Sequence, residues 1–323
     1  MNKLPYQSTL RLPLVAAPMF LISNPALVSE CCKNGVVGTF PALNQRSSEG
    51  FEAWLNEIAA HLQDFEAQTA QKPAPFGVNL IVHHTNPRLQ ADLEICIRHK
   101  VPLIITSLGI VPEVIEAVHG YGGLVYHDVT NLRHAQKAAG AGVDGLILVA
   151  AGAGGHAGTL NPIAFVNEIR AFFDKTILLS GCLSTGQDIA AALTMGADLA
   201  YMGTRFINTI EGQAPPEYQQ MIVDSKTADI VYTAAVSGVP ANFMRQSLEK
   251  AGISEEMLKS AARIDFGKEL DSEAKAWKTI WSAGQGVTSI QDVLPVRDLI
   301  SRMKQEFAQS LQKQQQLQQQ YGL

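Results

Sequence analysis

The 323-residue sequence is poor in charge and in cysteine: 17% of its residues are Asp, Glu, Lys or Arg and four are Cys, against 46% hydrophobic residues. Such a composition excludes a largely disordered chain and leaves ample material for a large core. Lys and Arg number 25 against 30 Asp and Glu, a net charge of −5, so there is no excess of the positive charge that nucleic acid or an anionic membrane attracts. The cysteines (Cys31, Cys32, Cys96, Cys182) show no CxxC spacing, which argues against a disulfide framework and a cysteine-built zinc site. No span reaches the roughly 18 apolar residues of a transmembrane helix, and the opening MNKLPYQSTLRLPLVAAPMF, interrupted by Pro13 and Pro18, does not read as a signal peptide. The expectation is a cytoplasmic protein acting on small molecules, with no nucleic-acid or membrane partner. The GxGxxG of a dinucleotide fold is also missing after the first apolar run, where the chain reads AAPMFLIS.

What is present is a rhythm. Short apolar runs at 14–17, 36–40, 76–81, 103–106, 123–127, 145–149, 176–180 and 199–202 alternate with helical patterns such as 25–35, 86–100 and 185–197. Asn86 before Pro87 reads as a helix cap with a first-turn proline. Eight strands with return helices predict an α/β fold, a (β/α)8 TIM barrel, over residues 1–210. A doubly wound open sheet is the structural alternative. After Phe206 the rhythm stops, and residues 211–289 are expected to form a smaller, mainly helical C-terminal appendage over the barrel mouth, covering the substrate. The segment 290–323 returns to helix and is expected to pack back on the barrel, with its glutamine-rich end fraying.

Chemistry is expected at the carboxyl ends of the strands. The sixth run breaks into GAGGHAG, where glycines let backbone approach a flat ligand while His156 faces substrate as general base or hydrogen-bond donor; a structural histidine is the alternative. The turns LLSGCLSTGQD and YMGTRF follow the seventh and eighth runs, where barrels often hold a phosphate on backbone N–H groups, so Gly181, the backbone of Cys182, Gly203 and Thr204 are candidates. Tight turns alone are the other reading, and a reactive thiol at Cys182 a further one. Asn79, a polar amide in an apolar strand, needs a partner, either a heterocycle or a neighbouring backbone. Met19 offers soft contact to such a ring. His83 and His127 end strands and are substrate-side candidates. Histidines at strand ends also suit a metal-dependent hydrolase, but the first strand lacks the paired histidines of such enzymes and strong carboxylate ligands are missing, so no metal is expected.

Taken in order, APM, GVN, AGGHAG, SGCLSTG, MGTRF and WSAGQG resemble the flavin-dependent nitronate monooxygenases, once called 2-nitropropane dioxygenases, and share much with the flavin enoyl-acyl-carrier-protein reductases. The resemblance implies noncovalent FMN, with Ala17, Pro18, Met19 and Asn79 at the ring, Gly154, Gly155 and Ser180 beside it, and Gly181, Cys182, Gly203 and Thr204 at the phosphate. Gln285 and Gly286 match the family's AGQG, and His156 matches the catalytic histidine. The implied reaction oxidises an alkyl nitronate with O2 to a carbonyl compound and nitrite. NAD(P)H-dependent reduction of quinones or enoyl thioesters is the alternative, and a flavin-binding barrel without turnover another; a homodimer is compatible with either enzyme. The chain departs from the pattern where Cys182 replaces a glycine, where Ser184 and Thr185 replace an Ala-Asp pair, where Gly152 stands in place of a glutamate, and where Asp128 stands in place of a lysine.

Overall fold

The chain's computed structural model describes residue 4 and residues 6–236, 238–254 and 280–322. Its frame is a closed barrel of eight parallel strands: β1 (Leu14–Ala16), β2 (Val37–Pro41), β3 (Phe76–Ile81), β4 (Leu103–Ser107), β5 (Leu124–Val129), β6 (Gly145–Val149), then, after the two-residue strand β7 (Gly155–His156), β8 (Thr176–Ser180) and β9 (Leu199–Met202). Closure comes from β1, where Val15 registers with Val37 of β2 on one side and Tyr201 of β9 on the other. This is the (β/α)8 barrel that the alternating pattern predicts, and four of the eight runs coincide with their strands to the residue.

Alternation along each strand divides the core in two. Val15, Val37, Leu103, Ile105, Tyr126, Ile147, Leu178 and Leu199 form the cluster inside the barrel. Val125, Leu146, Leu148, Ile177 and Leu179 join the larger cluster with the helices. Each such fully buried aliphatic side chain contributes roughly 1.5–3 kcal/mol. Tyr6, from the segment before β1, closes the amino-terminal end of the barrel, its hydroxyl 2.7 Å from that of Tyr126.

The return helices start where side chains satisfy their first N–H groups. Asn24 caps α1 (Pro25–Lys33), with Pro25 in the first turn. Helices α2 (Ser48–Thr69), α3 (Leu89–Arg98), α4 (Pro112–Gly120), α5 (Leu132–Gly140) and α6 (Pro162–Arg170) follow. Asn86 does not cap α3 as expected: its Oδ1 accepts from the Arg88 N–H at 3.0 Å and its amide donates to the Ile81 carbonyl at 2.8 Å, making a turn three residues before the helix. In α7 (Gly186–Thr194), Thr185 and Asp188 form a capping box.

Beyond β9 come α8 (Thr204–Ile207), α9 (Pro216–Asp224), β10 (Ile230–Thr233), β11 (Ala241–Met244) and α10 (Arg245–Lys250). The turn-rich stretch 233–243 therefore carries strand at both ends, and β10, β11 and β7 make a small antiparallel sheet that helical patterning did not foresee. The helical pattern at 255–270 falls outside the described residues. The last helix, α11 (Val296–Tyr321), buries Val296, Leu299, Ile300 and Met303. Its glutamine-rich end stays helical through Tyr321 rather than fraying, with exposed side chains. Gly186 lets α11 press on α7, because a Cβ there would collide with the Met303 carbonyl.

Candidate active site

A cavity of about 1080 Å³ lies over the carboxyl ends of the barrel strands. Its floor is the top of the barrel interior, where the apolar filling gives way to polar side chains: Asn79 from β3, Ser107 from β4, Asp128 from β5, Ser180 from β8 and Tyr201 from β9. Three of them form a chain, the Asn79 amide donating to Ser107 Oγ at 2.8 Å and Ser107 Oγ–H donating to Asp128 Oδ2 at 2.5 Å. The expected partner of Asn79 is thus in part its neighbour strand, since the amide also reaches the Ile105 carbonyl at 3.3 Å. Asp128 Oδ1 is buried without a hydrogen-bond partner. Burial pushes the Asp128 carboxyl up to about 6, against the lowering effect of Ser107, and pushes the Tyr201 phenol up as well.

The walls are backbone. Ala17, Pro18 and Met19 leave β1 along one side, pinned by Ser23 Oγ accepting from the Met19 N–H at 3.0 Å and by Asn44 donating to the Met19 carbonyl at 3.1 Å. Gly203 faces them, and a Cβ there would meet nothing closer than 3.7 Å. Gly181 and Cys182 follow β8 with φ of 123° and 60°, a left-handed pair that brings both residues onto the wall. The first turn of α7 is less available than its position suggests: Asp188 Oδ2 accepts from the N–H groups of Ser184 and Thr185 at 2.8 and 2.9 Å, and Glu306 Oε2 from that of Gly186 at 2.7 Å. An anion in this corner would meet the backbone of Gly181, Cys182, Gly203 and Thr204 rather than the α7 terminus. The thiol of Cys182 is pushed up by burial first and by Asp188 second, the opposite of what a reactive thiolate needs.

His156 also lines the cavity, and strand β7 holds it there. Ala241 of β11 registers with His156 and Asn242 with Gly155, while the Asn242 amide donates to the Ala153 carbonyl at 2.7 Å and Tyr232 Oη–H to the Ala157 carbonyl at 3.1 Å. The segment after the barrel therefore builds the histidine turn as well as covering it. Burial pushes the His156 imidazole down to about 4. Above, Tyr218 and Trp281 stack with ring centroids 4.9 Å apart, and Tyr218 donates to the Ser282 carbonyl.

All the candidate site residues named from the sequence line this cavity except Gln285. Gln285 sits behind the wall, its N–H donating to the Gly152 carbonyl at 2.8 Å. His83, after β3, has its Nδ1 2.8 Å from Thr85 Oγ1. His127 lines the cavity from the outer face of β5, two residues from helix-facing Val125 and Val129, with Nδ1 2.7 Å from Thr106 Oγ1; burial pushes it down to about 4, and His134 and Lys137 of α5 add to the lowering. The inward position next to it belongs to Asp128. Sequence reasoning missed Ser107, Tyr201 and Asn242. The first two share the inward parity of Asn79 and could have been found by that signal; Asn242 acts across 89 residues and had none.

A family model described as nitronate monooxygenase matches residues 3–306. The chain belongs to the nitronate monooxygenase family. It is an oxidoreductase of that type. A nitronate monooxygenase from Paraburkholderia phytofirmans is 26% identical over 349 residues, covering 93% of each chain. FabK from Thermotoga maritima matches with a TM-score of 0.78 at 23% identity, over 98% of this chain and 100% of that one. A nitroalkane oxidase from Streptomyces ansochromogenes matches with a TM-score of 0.76 at 23% identity, over 95% of this chain and 99% of that one. At that identity the solved structures speak for the barrel fold.

Two of the chain's departures from the family pattern are one steric event. Gly152 has φ of 80°, and a Cβ there would run into Cys182 Sγ and the Gln285 side chain. The thiol occupies the space that a side chain at 152 would need, so a cysteine at 182 goes with a glycine at 152. Among the described residues no three His, Cys, Asp or Glu side chains gather as metal ligands, and no helix is long and apolar enough to cross a membrane.

Proposed function

We propose that this nitronate monooxygenase family member binds FMN in the cavity and oxidises alkyl nitronates with O2 to carbonyl compound and nitrite. The observation that carries the reading is one cavity lined both by a polar barrel floor and by His156 on a glycine turn. The residues present fit the cofactor. A flat heterocycle with donors and acceptors matches the floor of Asn79, Ser107 and Asp128, whose Oδ1 wants a partner. Gly203 lies in van der Waals range of Ala17 and Met19, its missing side chain keeping this corner of the wall shallow. Gly181, Cys182, Gly203 and Thr204 would hold the phosphate through backbone N–H groups, with Gly154, Gly155, Ser180 and Gly286 completing the wall and Gln285 supporting it from behind.

FMN, when bound, supplies the electron transfer to O2, while the protein supplies position and electrostatics. His156 is neutral at neutral pH, given its lowered pKa. A base is most effective with a pKa near the working pH, so of the two roles the residue type allows, donating a ring N–H to a nitronate oxygen is the better fit. The stacked rings of Tyr218 and Trp281 would give a substrate there an apolar wall.

The test is direct. The purified protein should show flavin absorption bands, or take up FMN on reconstitution, and consume O2 with a nitronate while releasing nitrite. Absence of bands together with failed reconstitution would remove the cofactor and the reaction at once.

A second reading has one observation in its favour. The cavity exceeds the roughly 300–1,000 Å³ of a typical small-molecule site, which leaves space beside a cofactor for a substrate larger than a small nitronate, such as a quinone or an enoyl thioester reduced at the expense of NAD(P)H. Rapid bleaching of the flavin on anaerobic mixing with NADH would select it.

A further inference from the structure

Resting on the flavin reading above, we propose that Asp128 hydrogen-bonds the bound flavin ring through Oδ1 and takes up or gives up one proton there, so that the ring's spectrum reports the protonation of this carboxyl.

The argument starts from position. β5 points Tyr126 and Asp128 into the barrel, and Asp128 is the carboxyl at the level where the interior opens into the cavity. One oxygen is fixed by the chain from Asn79 through Ser107. The other is buried and lacks a partner, and Asp128 enters no salt bridge among the described residues. A buried carboxyl oxygen left unmatched costs on the order of 1–3 kcal/mol, and a ligand on the floor would remove that cost. The pyrimidine edge of a flavin presents an N–H flanked by carbonyl oxygens, so either protonation state finds a complement: the neutral acid donates to a carbonyl, and the carboxylate accepts from the N–H. Ser107, which donates to Oδ2, favours the ionised form. No bond to carbon is made and no electron moves in this step; one proton passes between Oδ1 and solvent.

The other titratable groups at the cavity are distinguishable. Tyr201 faces Asp128 from β9 and is pushed up, as is Cys182 after β8. His156 on β7 and His127 on the outer face of β5 are both pushed down to about 4. β6 and β8 offer Val149 and Ser180, which do not titrate. His83 after β3, and His134 and Lys137 on α5, face the same cavity and need controls.

The experiment follows the visible absorption spectrum of the FMN-loaded protein through the weakly acid range. The expected result is a one-proton spectral titration that is lost in D128N, moved upward in S107A, and retained in H83Q, H134Q, K137M and H156Q. S107A keeps the carboxyl and gives a reading even where D128N fails to fold. FMN bound with no such titration, or with one unchanged in D128N and S107A, overturns this inference and leaves the cofactor reading standing. A protein that takes up no FMN overturns both.

Discussion

At the scale of single residues, the site turns on side chains whose neighbours set their protonation. His156 is held neutral by burial, which suits hydrogen bonding better than proton abstraction. H156Q should bind FMN with the wild-type absorption spectrum and lose about 10²–10³-fold in kcat/KM for nitronate, the usual worth of one positioned hydrogen-bond donor; wild-type turnover would sink the role. Gly152 and Cys182 are linked by contact, since any side chain at 152 meets the thiol. G152E, which installs the glutamate that the family resemblance implies there, should therefore destabilise the fold by about 1–3 kcal/mol through its left-handed backbone and the collision. C182G should recover the part due to collision, read as a partial return of the urea midpoint. A double variant no more stable than G152E would show that the two positions are independent.

At the scale of elements, two of the ties between the barrel and the described segment after it can be tested separately. One is β11, which pairs with the histidine turn through Asn242. N242A leaves the Ala153 carbonyl without its donor and loosens β7, so it should raise KM and lower kcat together while the barrel melts as before. The other is the buried Arg205 of α8, which meets Asp292 at 2.8 Å, with Arg302 of α11 on the second carboxylate oxygen, also at 2.8 Å. Removing one partner of a buried pair strands the other charge. D292A should cost about 3 kcal/mol by urea unfolding, whereas R205M combined with D292L should cost clearly less, because no charge is left buried.

At the scale of the whole molecule, three buried groups give a pH dependence of stability whose sign can be worked out. His127 and His156 titrate near 4 in the fold and near 6.5 when unfolded, so between those values the unfolded chain binds one more proton at each. Asp128 titrates near 6 in the fold and near 3.8 when unfolded, so between those values the native state binds one more. Two against one, these three groups give unfolding a net uptake of one proton from about pH 4 to about pH 6, so their contribution to the stability of the ligand-free protein should rise with pH there at roughly 1.4 kcal/mol per unit. D128N should steepen that slope and H156Q should flatten it, measured as chemical unfolding free energy against pH. The same slope in all three proteins would mean that these groups do not govern it.

The barrel was legible because its cause is local. Apolar runs of strand length separated by capped helical patterns, such as Thr185 with Asp188 before α7, close into eight strands whatever the surface does. The glycine turns and His156 were legible for the same reason, lying where strands end. The sequence by itself thus determined the barrel and the family, and placed the candidate site residues at the strand ends. Tertiary structure decided what contact across distant residues decides: that Asp128 rather than His127 looks inward, that Asp188 and Glu306 take the first N–H groups of α7, that Gln285 stands behind the wall, and that β11 builds the histidine turn. The pairing of segments some 85 residues apart is settled by packing, because the free energy of those contacts exists only once the chain has closed on itself.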